Sequence, residues 1–248
     1  MGILDGKVAL ITGASRGIGL AEATALAREG ASIAVIANED TSDAVKQIEA
    51  IGVRAIGVFC DVRDSAQVDK AVAEVAKAFG RIDILVNNAH IIVKPHKMED
   101  WTVEEMDDQW GSGPRGTWLF MKACLPYLKE TRGRIINTAS AAGHGYLAGY
   151  CGYAATKEAI RSFTRSAARE WGEFGICVNA IAPAALTAGS RHSMDPEVER
   201  KILSQKALQR WGDPEGDIGR TVVFLAGPDS SYITGDTISP NGGASMLV

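Results

Sequence analysis

Short apolar runs alternate along the chain with longer amphipathic stretches. The runs are KVALIT (7–12), SIAVIA (32–37), AIGVFC (55–60), IDILV (82–86), GRIINTA (133–139), ICVNAIA (176–182) and a last DTISP (236–240). They are too short for helices and lack the strict alternation of a half-exposed strand, which predicts parallel strands covered on both faces. Residues 17–30, 41–51, 65–79, 153–174, 196–205 and 213–225 carry apolar positions at helical spacing. Strand and helix in regular succession predict a doubly wound α/β fold, a parallel sheet of about seven strands with helices on both faces. No linker-like segment divides residues 1–248, so one domain is expected, with a substrate loop at about 183–206 whose irregular part runs from Pro183 to Pro196.

The pattern falters once. Residues 101–110 open with Thr102 and Glu105 in capping-box spacing, and 119–128 carry Leu119, Phe120, Ala123, Cys124, Tyr127 and Leu128 on one helical stripe. Between them stands WGSGPRGTW (110–118). Inside a helix glycine costs about 1 and proline about 3 kcal/mol, so a break at 111–114 is expected.

Composition narrows the partners. The formal charge is −4, from 26 basic and 30 acidic residues that are interspersed. With no block of one sign, neither nucleic acid nor an anionic membrane is an expected partner. No apolar run reaches the ~20 residues of a membrane span, and MGILDGKVALITG lacks the order of a signal peptide. A cytoplasmic protein is expected. Cys60, Cys124, Cys151 and Cys177 form no C-x-x-C pair and read as reduced, mostly buried thiols. His90, His96, His144 and His192 have no metal-ligand spacing, so no metal site is expected.

The chemistry begins at TGASRGIG (12–19), between the first strand and the first helix. Gly13, Gly17 and Gly19 let the backbone turn tightly and approach a pyrophosphate, whose charge is met by free N–H groups at the helix start. This is the nucleotide end of a Rossmann-type sheet. An acid at the end of the second strand grips the ribose hydroxyls of NAD and repels the extra phosphate of NADP. That end reads IANEDTS, with Ala37 and then Asn38. Arg16 can pair with a 2′-phosphate, and Asn38, Thr41 or Ser42 can donate to it. Glu39 and Asp40 act the other way if they turn inward. NADP(H) is therefore expected over NAD(H).

Tyr153 and Lys157 stand four apart, on one face of a helix. A lysine cation at ~4 Å stabilises a phenolate by up to about 4 kcal/mol at an effective dielectric near 20, which brings a phenol toward working pH. Tyr146 and Tyr150 have no lysine four residues on.

Taken together, the glycine spacing, Asp61-Val62, Asn87-Asn88-Ala89, Ser140 and Tyr153-x-x-x-Lys157 resemble the short-chain dehydrogenase/reductase family, from Lys7 to Gly243. The resemblance implies NAD(P) bound across strands one to four by Gly13, Ser15, Arg16, Gly17, Ile18, Gly19, Asn38, Asp61, Val62, Asn88, Ala89, Tyr153, Lys157, Pro183 and Thr187. It implies Ser140, Tyr153 and Lys157 as catalytic residues, and a homotetramer. The expected reaction interconverts a ketone and a secondary alcohol, so the partner is a small carbonyl compound or alcohol. Candidates for the substrate pocket are His90, His144, Tyr146, Tyr150, Leu186 and Met194.

The sequence also departs from the family's pattern. The family's fourth catalytic residue, an asparagine in the interrupted helix, falls on Gly113, where only a carbonyl remains to hold its water. A backbone-made bend that preserves this function is expected there. Asn-Asn-Ala-Gly ends here in His90, which is expected near the ribose or the substrate entrance, and Ala184 follows Pro183 where glycine is usual. These departures leave two rivals: a catalytically weak NAD(P)-binding sensor or scaffold, and a relative using Tyr153 for non-redox chemistry. The intact TGASRGIG and Lys157 count against the second.

Overall fold

The computed structural model describes residues 2–144, 148–185, 195–204 and 206–246. Seven parallel strands form one sheet in the order β3-β2-β1-β4-β5-β6-β7. They are β1 (Val8–Thr12), β2 (Ser32–Ala37), β3 (Ala55–Phe59), β4 (Ile84–Asn87), β5 (Arg134–Thr138), β6 (Cys177–Ile181) and β7 (Thr237–Ile238). Leu10 at the centre pairs with Ala34 of β2 and Leu85 of β4. The order reverses between β1 and β4, and the crevice at their carboxyl ends is where such sheets take ligands.

The strands read as unbroken apolar runs because both faces are covered. Ala9 and Ile11 of β1 enter one core with Leu26 of α1 (Gly17–Arg28), Ile48 of α2 (Ser42–Glu49) and Val222 of α9 (Arg220–Ala226). Val8 and Leu10 enter the other, with Val68 and Val72 of α3 (Ser65–Phe79), Phe120 and Leu128 of α5 (Gly116–Thr131) and Ala167 of α7 (Cys151–Trp171). Successive residues of a strand point to opposite faces, so one apolar run supplies two cores. The remaining helices are α4 (Val103–Trp110), the four-residue α6 (Ala141–His144) and α8 (Pro196–Ser204). The last strand is shorter than its apolar run suggested, and α7 begins two residues before Tyr153.

The expected break at 111–114 is not a break. Residues Gly111–Arg115 form a π turn that joins α4 to α5, and Gly111 and Gly116 keep helical dihedrals (φ −61°, ψ −49° and φ −61°, ψ −45°). The widened turn accommodates Pro114, which has no N–H to donate, while the Gly116 N–H donates to the Gly111 carbonyl. A Cβ at Gly116 would stand 3.2 Å from Val62, and one at Gly111 would stand 3.4 Å from the Arg63 side chain. The capping box is present: Thr102 Oγ1 accepts from the Glu105 N–H at 3.1 Å, and the Thr102 N–H donates to the Glu105 carboxylate at 3.0 Å.

Among the described residues no helix is long and apolar enough to cross a membrane, and no three side chains are placed to hold a metal ion. All four cysteines are unpaired, with Cys60, Cys124 and Cys177 buried and Cys151 half-buried.

Candidate active site

The turn after β1 is shaped by what its glycines allow. Gly13 (φ +66°) and Gly17 (φ +63°) adopt left-handed backbone that disfavours a side chain. Gly19 is required by crowding, since a Cβ there would lie 2.4 Å from the Gly13 carbonyl oxygen and 2.5 Å from Asn88 Nδ2. Asn88 ties the ends of β1 and β4 together: its Nδ2 donates to the carbonyls of Thr12 (3.0 Å) and Gly13 (3.1 Å). Thr12 Oγ1 in return accepts from the N–H groups of Asn88 and Ala89. Arg16, at the start of α1, offers no side-chain cap to the first turn. The N–H groups of that turn are left for an anion.

This turn forms one wall of a cavity of about 490 Å³ at the switch point. Of the residues predicted for the site, Gly13, Ser15, Arg16, Ile18, Asn38, Asp61, Val62, Asn88, Ala89, His90, Ser140, Tyr153, Lys157 and Pro183 line it. Gly17 and Gly19 shape the turn from behind. Tyr150 is not in the wall but stands edge-on to Tyr153, with ring centroids 6.2 Å apart. His144 closes α6, and its side chain lies outside the described residues, as do Tyr146, Leu186, Thr187 and Met194. Ile91, Ile92, Ser112 and Thr138 also line the cavity, without a signal in the sequence.

At the ribose end, Glu39 turns inward. Its carboxylate accepts from the Ser15 hydroxyl and lies 3.1 Å from Arg16 Nε. Ser42, by contrast, is engaged with Asp40. Asp61 is gripped by Arg63, which also reaches Asp108 of α4; the guanidinium holds the Asp61 carboxyl below its ordinary range.

At the other end, Tyr153 is half-buried and shares the cavity wall with Ser140. Burial raises its pKa, the Ser140 bond works against this, and Tyr150 adds to it. The sequence suggested a phenol lowered by lysine; here desolvation instead raises it. The Lys157 ammonium donates to the Thr138 carbonyl at 2.7 Å and lies 5.4 Å from the Tyr153 ring centroid. Lys157 is itself buried, and loss of solvent brings it down to about 7, with the negative charge of Glu22 opposing the fall. Glu22 of α1 is a residue the sequence reading missed. It is fully buried, its two oxygens have no hydrogen-bond partner among the described residues, and burial pushes it up to about 8. His90 lines the cavity and packs flat on Tyr153.

The profile of the family described as enoyl-(acyl carrier protein) reductase matches residues 13–245. The 12alpha-hydroxysteroid dehydrogenase of Clostridium sp. is 41% identical over 254 residues, covering 98% of this chain and 98% of that protein. The 3-oxoacyl-(acyl-carrier-protein) reductase FabG of Staphylococcus aureus is 38% identical over 244 residues, covering 97% and 98%. Among solved structures, a short chain dehydrogenase from Burkholderia cenocepacia J2315 in complex with NADP superposes with a TM-score of 0.90 at 36% identity, covering 97% of this chain and 98% of that one. The sheet order, the glycine turn and these relatives agree, and the chain belongs to the short-chain dehydrogenase/reductase family of oxidoreductases.

Proposed function

We propose that the protein interconverts a ketone and a secondary alcohol with NADP(H), using Ser140, Tyr153 and Lys157. The observation that carries the reading is the convergence of all three on the cavity whose far wall is the glycine turn. A dinucleotide suits that wall, because a Cβ at Gly13 would meet Ala89 Cα at 2.9 Å and only a bare backbone leaves the cradle open. Gly13, Ser15, Arg16, Gly17, Ile18 and Gly19 would hold the pyrophosphate, Asn38, Asp61, Val62, Asn88 and Ala89 the adenosine side, and Pro183 with Thr187 the nicotinamide side. When bound, the cofactor supplies or accepts a hydride. Ser140 holds the substrate oxygen by a hydrogen bond. Tyr153 gives its phenol proton to that oxygen in reduction and takes it back in oxidation. The Lys157 ammonium offsets the charge left on the phenolate.

Ala37 at the end of β2 and Arg16 favour the 2′-phosphate, and the NADP complex of the Burkholderia relative supports this reading. Glu39 opposes it by neutralising Arg16, so the preference over NAD(H) is narrower than Arg16 alone would give. The named relatives are a 12alpha-hydroxysteroid dehydrogenase and a 3-oxoacyl-(acyl-carrier-protein) reductase. A moderately apolar carbonyl compound is the substrate class proposed, with His90 and Tyr150 on the substrate side. Unpaired thiols support a reducing cytoplasmic setting. The exposed Val103, Trp110 and Trp118 of α4 and α5 support self-association as a homotetramer.

The test is absorbance loss from NADPH, then NADH, against cyclic, aryl and steroid ketones and a 3-oxoacyl thioester, with Tyr153→Phe as control. NADPH-dependent turnover that vanishes in the variant is expected. Cofactor binding without turnover across the panel would instead favour a sensor or scaffold.

A further inference from the structure

Two departures from the family's pattern, His90 beyond β4 and Gly113 in the π turn, prove to be in contact. A Cβ on Gly113 would stand 2.7 Å from His90 Nε2, 3.0 Å from Cε1 and 3.2 Å from Cδ2. The imidazole and a side chain at 113 therefore cannot share this space. The ring is held from two directions. Nε2 lies 3.1 Å from the Gln109 carbonyl oxygen, and the ring face stacks on Tyr153 with centroids 5.3 Å apart and planes at 21°.

A carbonyl oxygen only accepts, so Nε2 carries the proton and Nδ1 presents its lone pair. Nδ1 is buried and has no partner among the described residues. The ring stays neutral, because burial first and the Lys157 charge second hold it down at about 2. The titratable groups bearing on it are Tyr153 and Lys157 of α7, with Tyr150 beside Tyr153 and Glu22 of α1 acting through Lys157. From α4 and the π turn it meets the uncharged Gln109 and Gly113.

Resting on the reading of Tyr153 as the acid–base group, we propose that His90 is a positioning residue of this site, filling the place a side chain at 113 would take. Its neutral ring fixes the plane of the Tyr153 phenol, and Nδ1 supplies a hydrogen-bond acceptor beside the Tyr153–Lys157 pair. The histidine and the glycine then form one unit, in which the bare backbone at 113 exists to admit the ring.

The test uses full-length His90→Phe, Gly113→Ala, His90→Gly, His90→Gly/Gly113→Ala and His90→Gly/Gly113→Asn, with Tyr153→Phe alongside. Ketone-reduction kinetics, NADPH binding by fluorescence and nitrogen-15 NMR of the histidine rings are the readouts. His90→Phe keeps an aromatic face but loses both nitrogens; its kcat falls roughly tenfold to a hundredfold, while NADPH affinity is unchanged. Gly113→Ala displaces the ring and lowers kcat likewise, yet adds nothing once His90 is glycine. His90→Gly/Gly113→Asn recovers activity above His90→Gly. The NMR titration needs no substrate: the His90 ring remains neutral, protonated at Nε2, while an exposed imidazole titrates near ~6.5. Wild-type kcat in His90→Phe, losses that multiply in the double variant, or a His90 that titrates like an exposed imidazole would each overturn the proposal. If Tyr153→Phe turns over normally, the proposed function itself fails; if it is inactive while His90→Phe is intact, only the role of His90 fails.

Discussion

Replacing Glu22 by methionine should stabilise the protein, and by an amount that depends on pH. Glu22 is fully buried, has no hydrogen-bond partner among the described residues, and titrates at about 8 instead of its ordinary 4.5. Below 4.5 the carboxyl is protonated whether the chain is folded or unfolded, and its titration costs nothing. Between 4.5 and 8 the unfolded chain gives up this proton and the folded chain keeps it, so stability falls as pH rises. At about 1.4 kcal/mol per pH unit, the cost is roughly 1 kcal/mol at pH 5 and roughly 3 to 5 kcal/mol at pH 8. Lys157 enters with the opposite sign. Its folded value of about 7 lies below its ordinary 10.5, so stability is regained as pH rises from 7 to 10.5. At pH 8 that lysine is already largely the neutral amine, and removing Glu22 leaves no unpaired charge behind. A methionine of similar length should therefore raise the thermal midpoint at pH 8 by several degrees, at about 2–4 °C per kcal/mol for a chain of this size, and by little at pH 5. Parallel melting and urea unfolding at the two pH values measure this. An equal gain at both would mean that packing, not ionisation, governs the site, and a loss at pH 8 would refute the reasoning. The same substitution removes the charge that helps hold the Lys157 proton. The alkaline fall of ketone reduction should move to lower pH.

Gly19→Ala should weaken NADPH binding by roughly tenfold or more and cost about 1–3 kcal/mol of stability, because its Cβ would press on the Gly13 carbonyl and the Asn88 amide; fluorescence titration and melting check both. Glu39→Gln frees Arg16, whose side chain is 84% exposed, and should favour NADPH over NADH by roughly twofold to fivefold, the range of an exposed ion pair; KM ratios for the two cofactors decide it. Thr102→Ala should cost about 1 kcal/mol through loss of the cap of α4, measured by urea unfolding, with cofactor affinity unchanged.

The sheet was legible because its chemistry is local: six of the strands are short apolar runs, and each run feeds two buried faces. The glycine turn and the Tyr153–Lys157 spacing were legible for the same reason. What escaped depends on residues distant in sequence. Propensity at Gly111, Gly113 and Pro114 argued for a broken helix, but a π turn carries the chain through, with His90 close on Gly113 and Val62 close on Gly116. His90 and Gly113 looked like separate departures, 23 positions apart, until the fold brought them within contact distance. Glu22 had no signal at all. In LAEATA it reads as an exposed polar position on an amphipathic helix, whereas α1 is enclosed by the sheet and by the turn at 214–219, which comes so near that a Cβ on Gly219 would lie 2.7 Å from that of Ala25.

The proposed reaction moves hydride to a carbonyl in this cavity, with Tyr153 as the proton donor. Mass spectrometry can follow deuterium into a reduced ketone from NADPH that carries deuterium at both C4 positions of the nicotinamide, for the wild type and Tyr153→Phe. One deuterium on the carbinol carbon of the wild-type product is expected, and no product from the variant. A reduced product without deuterium, or transfer that survives loss of the Tyr153 hydroxyl, would overturn this reading.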